Sequence, residues 1–318
     1  MKRLLLAVAL LGLPSAAGSA WFLRASPSPL AEPKRLYDAG NYPEVIARLT
    51  PATMQKLRSE DLKLAYLYLG GSYEHTGRRG EALGVYQVAV KLFPGDATLL
   101  TSLAALLHEA DLEEEARPLY EKILQLEPDN AEAHLGLAEI DRSLGLLDRS
   151  AQHYEKALEK MAERANVWRD YAEVLLAQRD ARTAELAVRR ALALSADVDS
   201  WIDLAFIARA QGRLDDALTA LDKASASQTP ARAGIGLART LWLLEAGRNR
   251  EASAACEEIL KDSPDEPLAR WVRGMLRLKA GRQESAAKEF ALAAFATREA
   301  PFTARISAAL LERLKGRR

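Results

Sequence analysis

The chain has a single cysteine, Cys256, which excludes an intramolecular disulfide and any CxxC metal or redox motif. It also lacks surplus charge. Lys plus Arg and Asp plus Glu stand at 44 each, so no summed field draws the chain to nucleic acid or to an anionic membrane surface. Histidine occurs only four times. His134 and His153 fall where packing is expected, and His75 and His108, near the ends of successive helices, have no carboxylate or thiol set at ligand spacing. Phosphate loops are missing too: Gly234 and Gly236 ahead of a helix are too sparse to form one. The run Glu113–Glu115 just after a loop reads as a solvated helix start favoured by the helix dipole. These absences leave no expected metal, cofactor or catalytic residue, and the chain reads as a non-enzyme.

At the N-terminus Lys2 and Arg3 precede an apolar run from Leu4 to Leu13, then Pro14 and the small residues Ser15-Ala16-Ala17-Gly18-Ser19-Ala20. This is the layout of a secretory signal peptide, with cleavage expected after Ala17 or Ala20. The same region admits a second reading. Residues 4–23 carry no formal charge and are closed by Arg24, long enough for an uncleaved anchor attached to a membrane. Both readings of residues 1–24 export the rest of the chain, to the periplasm or to the outer side of an inner membrane. No cysteine lies nearby to carry a lipid. Residues 25–33, with Pro27, Pro29 and Pro33, read as a semi-rigid spacer.

Beyond residue 33 the chain is periodic. Tyr66, Leu69, Gly70, Tyr73, Ala82, Tyr86, Ala89 and Pro94 describe two antiparallel helices, with small residues where backbones approach and large ones filling the gaps. The loop residue Gly77 recurs as Asp111, Gly145, Arg179, Gly212, Gly247 and Gly281, at steps of 34, 34, 34, 33, 35 and 34. Five residues on stand Ala82, Ala116, Ser150, Ala184, Ala217, Ala252 and Ala286. The bulky partner comes next as Tyr86, Tyr120, Tyr154, Val188, Leu221, Cys256 and Phe290, then Ala89, Ile123, Ala157, Ala191, Ala224, Ile259 and Ala293. Each second helix thus has one stripe to bury. In its slot Cys256 reads as a small buried hydrophobe and not as a nucleophile. Pro94, Pro128, Pro230 and Pro264 close units. Residues 34–62 form a truncated first repeat, 63–300 seven full ones, and 301–318 an amphipathic capping helix (Phe302, Ile306, Ala309, Leu310, Leu314) with a basic tail.

Over residues 34 to 300 this pattern resembles the tetratricopeptide repeat. The resemblance implies an all-α fold, a right-handed α-solenoid of helix-turn-helix repeats whose first helices line a concave groove for a protein or peptide. Projected on that grid, the groove carries Glu139, Arg142, Arg169, Asp170, Glu173, Asp203, Phe206 and Arg209. Further on, Arg239, Arg273 and Arg277 fall at expected core positions, while Trp271 and Met275 fall near the groove. Either those helices are rotated by about one position or an apolar patch faces a partner; both residues are kept as candidates. The Lys and Asn pattern with which some family members clamp a peptide carboxylate is absent at the matching places. The expected role is a bacterial, envelope-facing, non-enzymatic interaction scaffold. The alternative is an accessory or regulatory subunit of an envelope enzyme or export complex, such as polysaccharide export or cytochrome maturation.

Overall fold

The computed structural model describes residues 28–226, 232–295 and 300–315, and the chain divides into two compact units, 1–106 and 107–318. The candidate signal or anchor segment 4–23 lies outside the described residues, among which no helix is long and apolar enough to cross a membrane. The described residues form eighteen helices.

In the first unit α1 (Ala31–Asp38) and α2 (Tyr42–Arg48) pack on each other and on α4 (Ser59–His75), with the single turn α3 (Pro51–Met54) between, and α4 pairs with α5 (Arg79–Leu92). Residues 31–33, assigned to the spacer from composition, belong to α1 instead. Pro33 sits in its first turn, where a missing N–H costs no helical hydrogen bond, and it is buried. The core is Leu30, Val45, Leu49, Met54, Ala65 and Leu69, ringed by tyrosines. Tyr37 lies 4.9 Å from Tyr68, and His75 stacks on Tyr42 at 4.2 Å. Adjacent glycines on α4 admit two of these rings: a Cβ at Gly70 would stand 2.4 Å from the Tyr86 ring, and one at Gly71 2.6 Å from the Tyr37 hydroxyl. Helix α6 (Ala97–Glu109) comes next.

The second unit continues with α7 (Glu113–Leu126), α8 (Ala131–Ser143), α9 (Leu147–Met161), α10 (Ala165–Ala177), α11 (Ala181–Leu194), α12 (Val198–Ala210), α13 (Leu214–Ser225), α14 (Arg232–Glu245), α15 (Asn249–Asp262), α16 (Pro267–Lys279) and α17 (Gln283–Ala294). From α8 on they pair as α8 with α9, α10 with α11, α12 with α13, α14 with α15 and α16 with α17, and α18 (Pro301–Lys315) packs along α17 and α16.

Every loop residue named from spacing has left-handed backbone, with φ of 74° at Gly77, 58° at Asp111, 72° at Gly145, 66° at Arg179, 77° at Gly212 and 74° at Gly247 and Gly281. Gly40, between α1 and α2, makes an eighth at 72°. The next N–H then reaches back over six residues, as in Arg78 to the Tyr73 carbonyl, Leu146 to Asp141 and Asp180 to Leu175, each at 2.8 Å. This is the Schellman closure, which satisfies carbonyls that a helix end would orphan. The small residues of the second helices, Ala82 through Ala286, are all fully buried, and the bulky ones are no more than 4% exposed. Ile259 departs from its stripe: it is larger than the Ala used at most equivalent slots and stays half-buried against Gly236.

Candidate functional site

The first helices of the second unit bury one face and leave the other for charge. In α8, Ala133, Leu137, Ala138 and Ile140 turn inward, while Glu139 is half-buried and Arg142 exposed. Asn130 starts this helix by accepting the Ala133 N–H at 3.0 Å, and Asp197 starts α12 by accepting the Ser200 N–H at 2.8 Å.

The residues left outside are joined from one first helix to the next. His108, at the end of α6, reaches Glu139 at 3.3 Å, Arg142 donates to Glu173 at 2.8 Å, and Arg169 meets Asp199 at 3.2 Å and Asp197 at 3.7 Å. Arg209 pairs with Glu245. Five of the ten residues picked from sequence are therefore rungs of one ladder. Asp170 and Asp203, in the same register on α10 and α12, are half-buried with no hydrogen bond or ion pair among the described residues. Burial raises the carboxyl of Asp170, and burial followed by the charge of Glu173 pushes Asp203 up to about 6. Phe206 holds the slot taken by Glu173 and Glu139 one and two repeats earlier; it is 54% exposed, edge-on to Trp242 at 5.3 Å.

Trp271 and Met275 carry the same first-helix register into α16 with apolar side chains. Both are half-buried on α16 in the register of Arg169 and Glu173, and they make no ion pair: they pack against the cluster of Leu218, Leu243, Leu244, Cys256 and Val272, which Trp242 also borders. Arg273 and Arg277 of the same helix turn instead to Glu289 of α17, only 4% exposed, which also takes Arg270. The Cys256 thiol donates to the Ala269 carbonyl at 3.0 Å, and burial pushes it up to about 11, as suits a packed hydrophobe.

Sequence reasoning missed a second charged centre. Asp141, fully buried on α8, accepts from Arg117 of α7 at 2.7 Å and has Arg149 and His153 of α9 at 3.4 Å and 3.9 Å. His153 joins His134 through their Nδ1 atoms at 2.9 Å, and His134 Nε2 lies 3.0 Å from the Pro128 carbonyl oxygen. The available signal was the register: position 141 corresponds to Tyr73, Leu175 and Leu243, so a carboxylate there needs cations from its neighbours. Among the described residues no three His, Cys, Asp or Glu side chains converge to hold a metal ion.

Two tetratricopeptide-repeat models match, one residues 34–97 and 241–302 and the other residues 107–152, together more than half of the chain, and the protein belongs to the tetratricopeptide-repeat family, a fold that serves typically as a protein-interaction scaffold. Its structure is similar to that of YrrB, described as a TPR protein with an unusual peptide-binding site, at 22% identity over 58% of this chain and 95% of that one, TM-score 0.52. It is also similar to the C-terminal part of a TPR repeat-containing protein from Cytophaga hutchinsonii, at 13% identity over 73% and 95%, TM-score 0.61. A third, a tetratricopeptide repeat protein from Parabacteroides merdae, matches at 17% identity over 80% and 98%, TM-score 0.51. No curated protein matches.

Proposed function

We propose that this protein is an exported, envelope-facing scaffold that holds an extended segment of a partner on the first-helix face of α8, α10, α12 and α14. The observation that carries this reading is Phe206, a large aromatic left more than half exposed amid ion-paired neighbours. Exposed aromatics beside paired charges are the residues that tend to dominate interface energy, and fixed charges around them set register and specificity. A peptide-binding site is ascribed to YrrB, which shares the repeat fold, and the resemblance supports a similar use of repeats here. Export rests on the charged start and apolar core of residues 1–24, which leave the repeats outside the cytoplasm, either released or tethered.

Two experiments test the two halves. A reporter fused after Pro33 should be active outside the cytoplasm, and the mature mass then separates cleavage from anchoring; activity confined to the cytoplasm contradicts export. Reversing Arg169 and Glu173 together with Phe206→Ala should abolish capture of the partner from membranes while lowering the melting temperature by no more than a few degrees. Capture that survives the triple change moves the site off this face.

A further inference from the structure

Resting on that reading of the face, we propose that Asp170, Asp203 and Glu173 form a seat for a cation, the Lys or Arg side chain of the bound segment. Three observations converge on it. First, the local cations are committed: Arg142 is held by Glu173 at 2.8 Å, and Arg169 by Asp199 and Asp197 at 3.2 Å and 3.7 Å. Two guanidinium groups, with His108 on Glu139, thus face the six carboxylates of Glu139, Asp170, Glu173, Asp197, Asp199 and Asp203, and Asp170 and Asp203 are left without a hydrogen bond or ion pair among the described residues.

Second, a buried hydroxyl beneath them lacks a partner. The Tyr154 ring is fully buried on α9, and its Oη has no hydrogen bond among the described residues. Two repeats earlier the equivalent Tyr86 hydroxyl donates to Glu74 at 2.5 Å. The slot of Glu74 is taken here by Arg142, which can only donate. After burial, the charge acting most on the Tyr154 phenol is that of Asp170. A cation seated on Asp170 would draw that carboxyl into the seat above the hydroxyl, where its second oxygen can serve as the acceptor this hydroxyl lacks.

Third, the surrounding charges give binding a pH sign. Asp203 faces Glu173 and Arg169 of α10, with Asp199 and Asp197 at the start of α12, and Asp170 faces Arg142 and Glu139 of α8 beside Arg169 and Glu173 of its own helix. Burial with Glu173 brings Asp203 up to about 6, so the seat loses the Asp203 charge as pH falls through that value, and a bound cation opposes the loss.

The test uses the full chain and two end-blocked octapeptides, one alternating Lys and Ala, the other alternating Glu and Ala, with binding measured by calorimetry at low salt. The Lys–Ala peptide should bind and the Glu–Ala peptide should not. The double variant Asp170→Asn and Asp203→Asn should weaken Lys–Ala binding by about tenfold or more without lowering the melting temperature. Tyr154→Phe should weaken binding without lowering the melting temperature, since the hydroxyl it removes is unpaired in the free protein. Glu114→Gln with Glu115→Gln, in the first turn of α7, should change nothing, and binding should weaken from pH 7.5 to pH 5. No Lys–Ala binding, binding indifferent to Asp170 and Asp203, or an equal loss from the α7 changes would overturn the seat. If the seat fails while the triple change on Arg169, Glu173 and Phe206 still abolishes partner capture, only the cation preference falls. If capture also survives, the face itself is wrong.

Discussion

Helix pairs α4/α5 and α8/α9 share one register, two repeats apart, yet fill its large slots by opposite chemistry. Tyr66, Tyr73, Glu74 and Tyr86 in the first become His134, Asp141, Arg142 and Tyr154 in the second. In α4/α5 the slots hold aromatic rings, and the one buried hydroxyl ends on Glu74. In α8/α9 a fully buried carboxylate is surrounded by Arg117, Arg149 and His153, and the equivalent hydroxyl is unpaired. The last helix pair repeats the second solution with reversed sign, setting Arg270 and Arg277 around Glu289 at the slots of His134, Asp141 and His153. The comparison teaches that the small and bulky residues of the second helix set the repeat, while the large slots of the first helix accept charge when a neighbour neutralises it. A buried charge without its partner costs far more than a packed ring.

The largest effect should come from breaking the charged solution. Asp141→Ala leaves Arg117, Arg149 and His153 around an empty slot and should destabilise the protein by about 3 kcal/mol or more, measured by urea unfolding. A loss under 1 kcal/mol would make Asp141 no more important than a surface charge. Next is a site common to both solutions: Ala184→Leu overpacks the fully buried small slot of α11 and should cost ~1 to 3 kcal/mol. Unchanged melting would mean the register is misread there. The effect should stay local, because a repeat contacts mainly its neighbours.

A smaller change should stabilise. Arg179 takes a left-handed backbone that six equivalent loops, Gly40 included, give to glycine, so Arg179→Gly should raise stability by up to about 1 kcal/mol, net of the freedom glycine adds to the unfolded chain. The smallest effects are in pH. His108 has its pKa raised, chiefly by its hydrogen bond to Glu139, so its contribution is complete below about pH 6.5 and is lost as pH rises through the folded value. His153 has its pKa lowered, first by burial and then by His134, so the protein loses stability as pH falls from about 6.5 through the folded value. Melting curves from pH 5 to 8 should show His153→Asn relieving part of the acid-side loss and His108→Gln removing the opposite trend; identical profiles in both variants would assign the pH dependence to other groups.

Much of the fold was legible from spacing alone. The loop residues, the small slots and the bulky slots recur at fixed steps because close backbone approach and left-handed closure tolerate few residue types, so Gly77, Ala82 and Tyr86 announce their places. The ladder was legible only in part. Glu139, Arg142, Arg169, Glu173 and Arg209 were picked as outward-facing charges, but their partners sit a whole repeat away and no local pattern pairs them. Asp141 and Glu289 escaped for the same reason, since a buried acid is explained only by cations from other helices. The spacer was misread at residues 31–33 because proline opens a helix as readily as it prevents one.

The most direct measurement is site-specific photo-cross-linking in living cells, with a photoreactive phenylalanine analogue at position 206 or at position 186. Phe206 lies on first helix α12 at 54% exposure, and Leu186 on second helix α11 at 64%, so accessibility alone favours neither strongly. Position 206 should yield a discrete cross-linked partner that disappears when Arg169 and Glu173 are reversed, and position 186 should yield none. A partner captured from position 186, or from both positions alike, would contradict a binding face on the first helices.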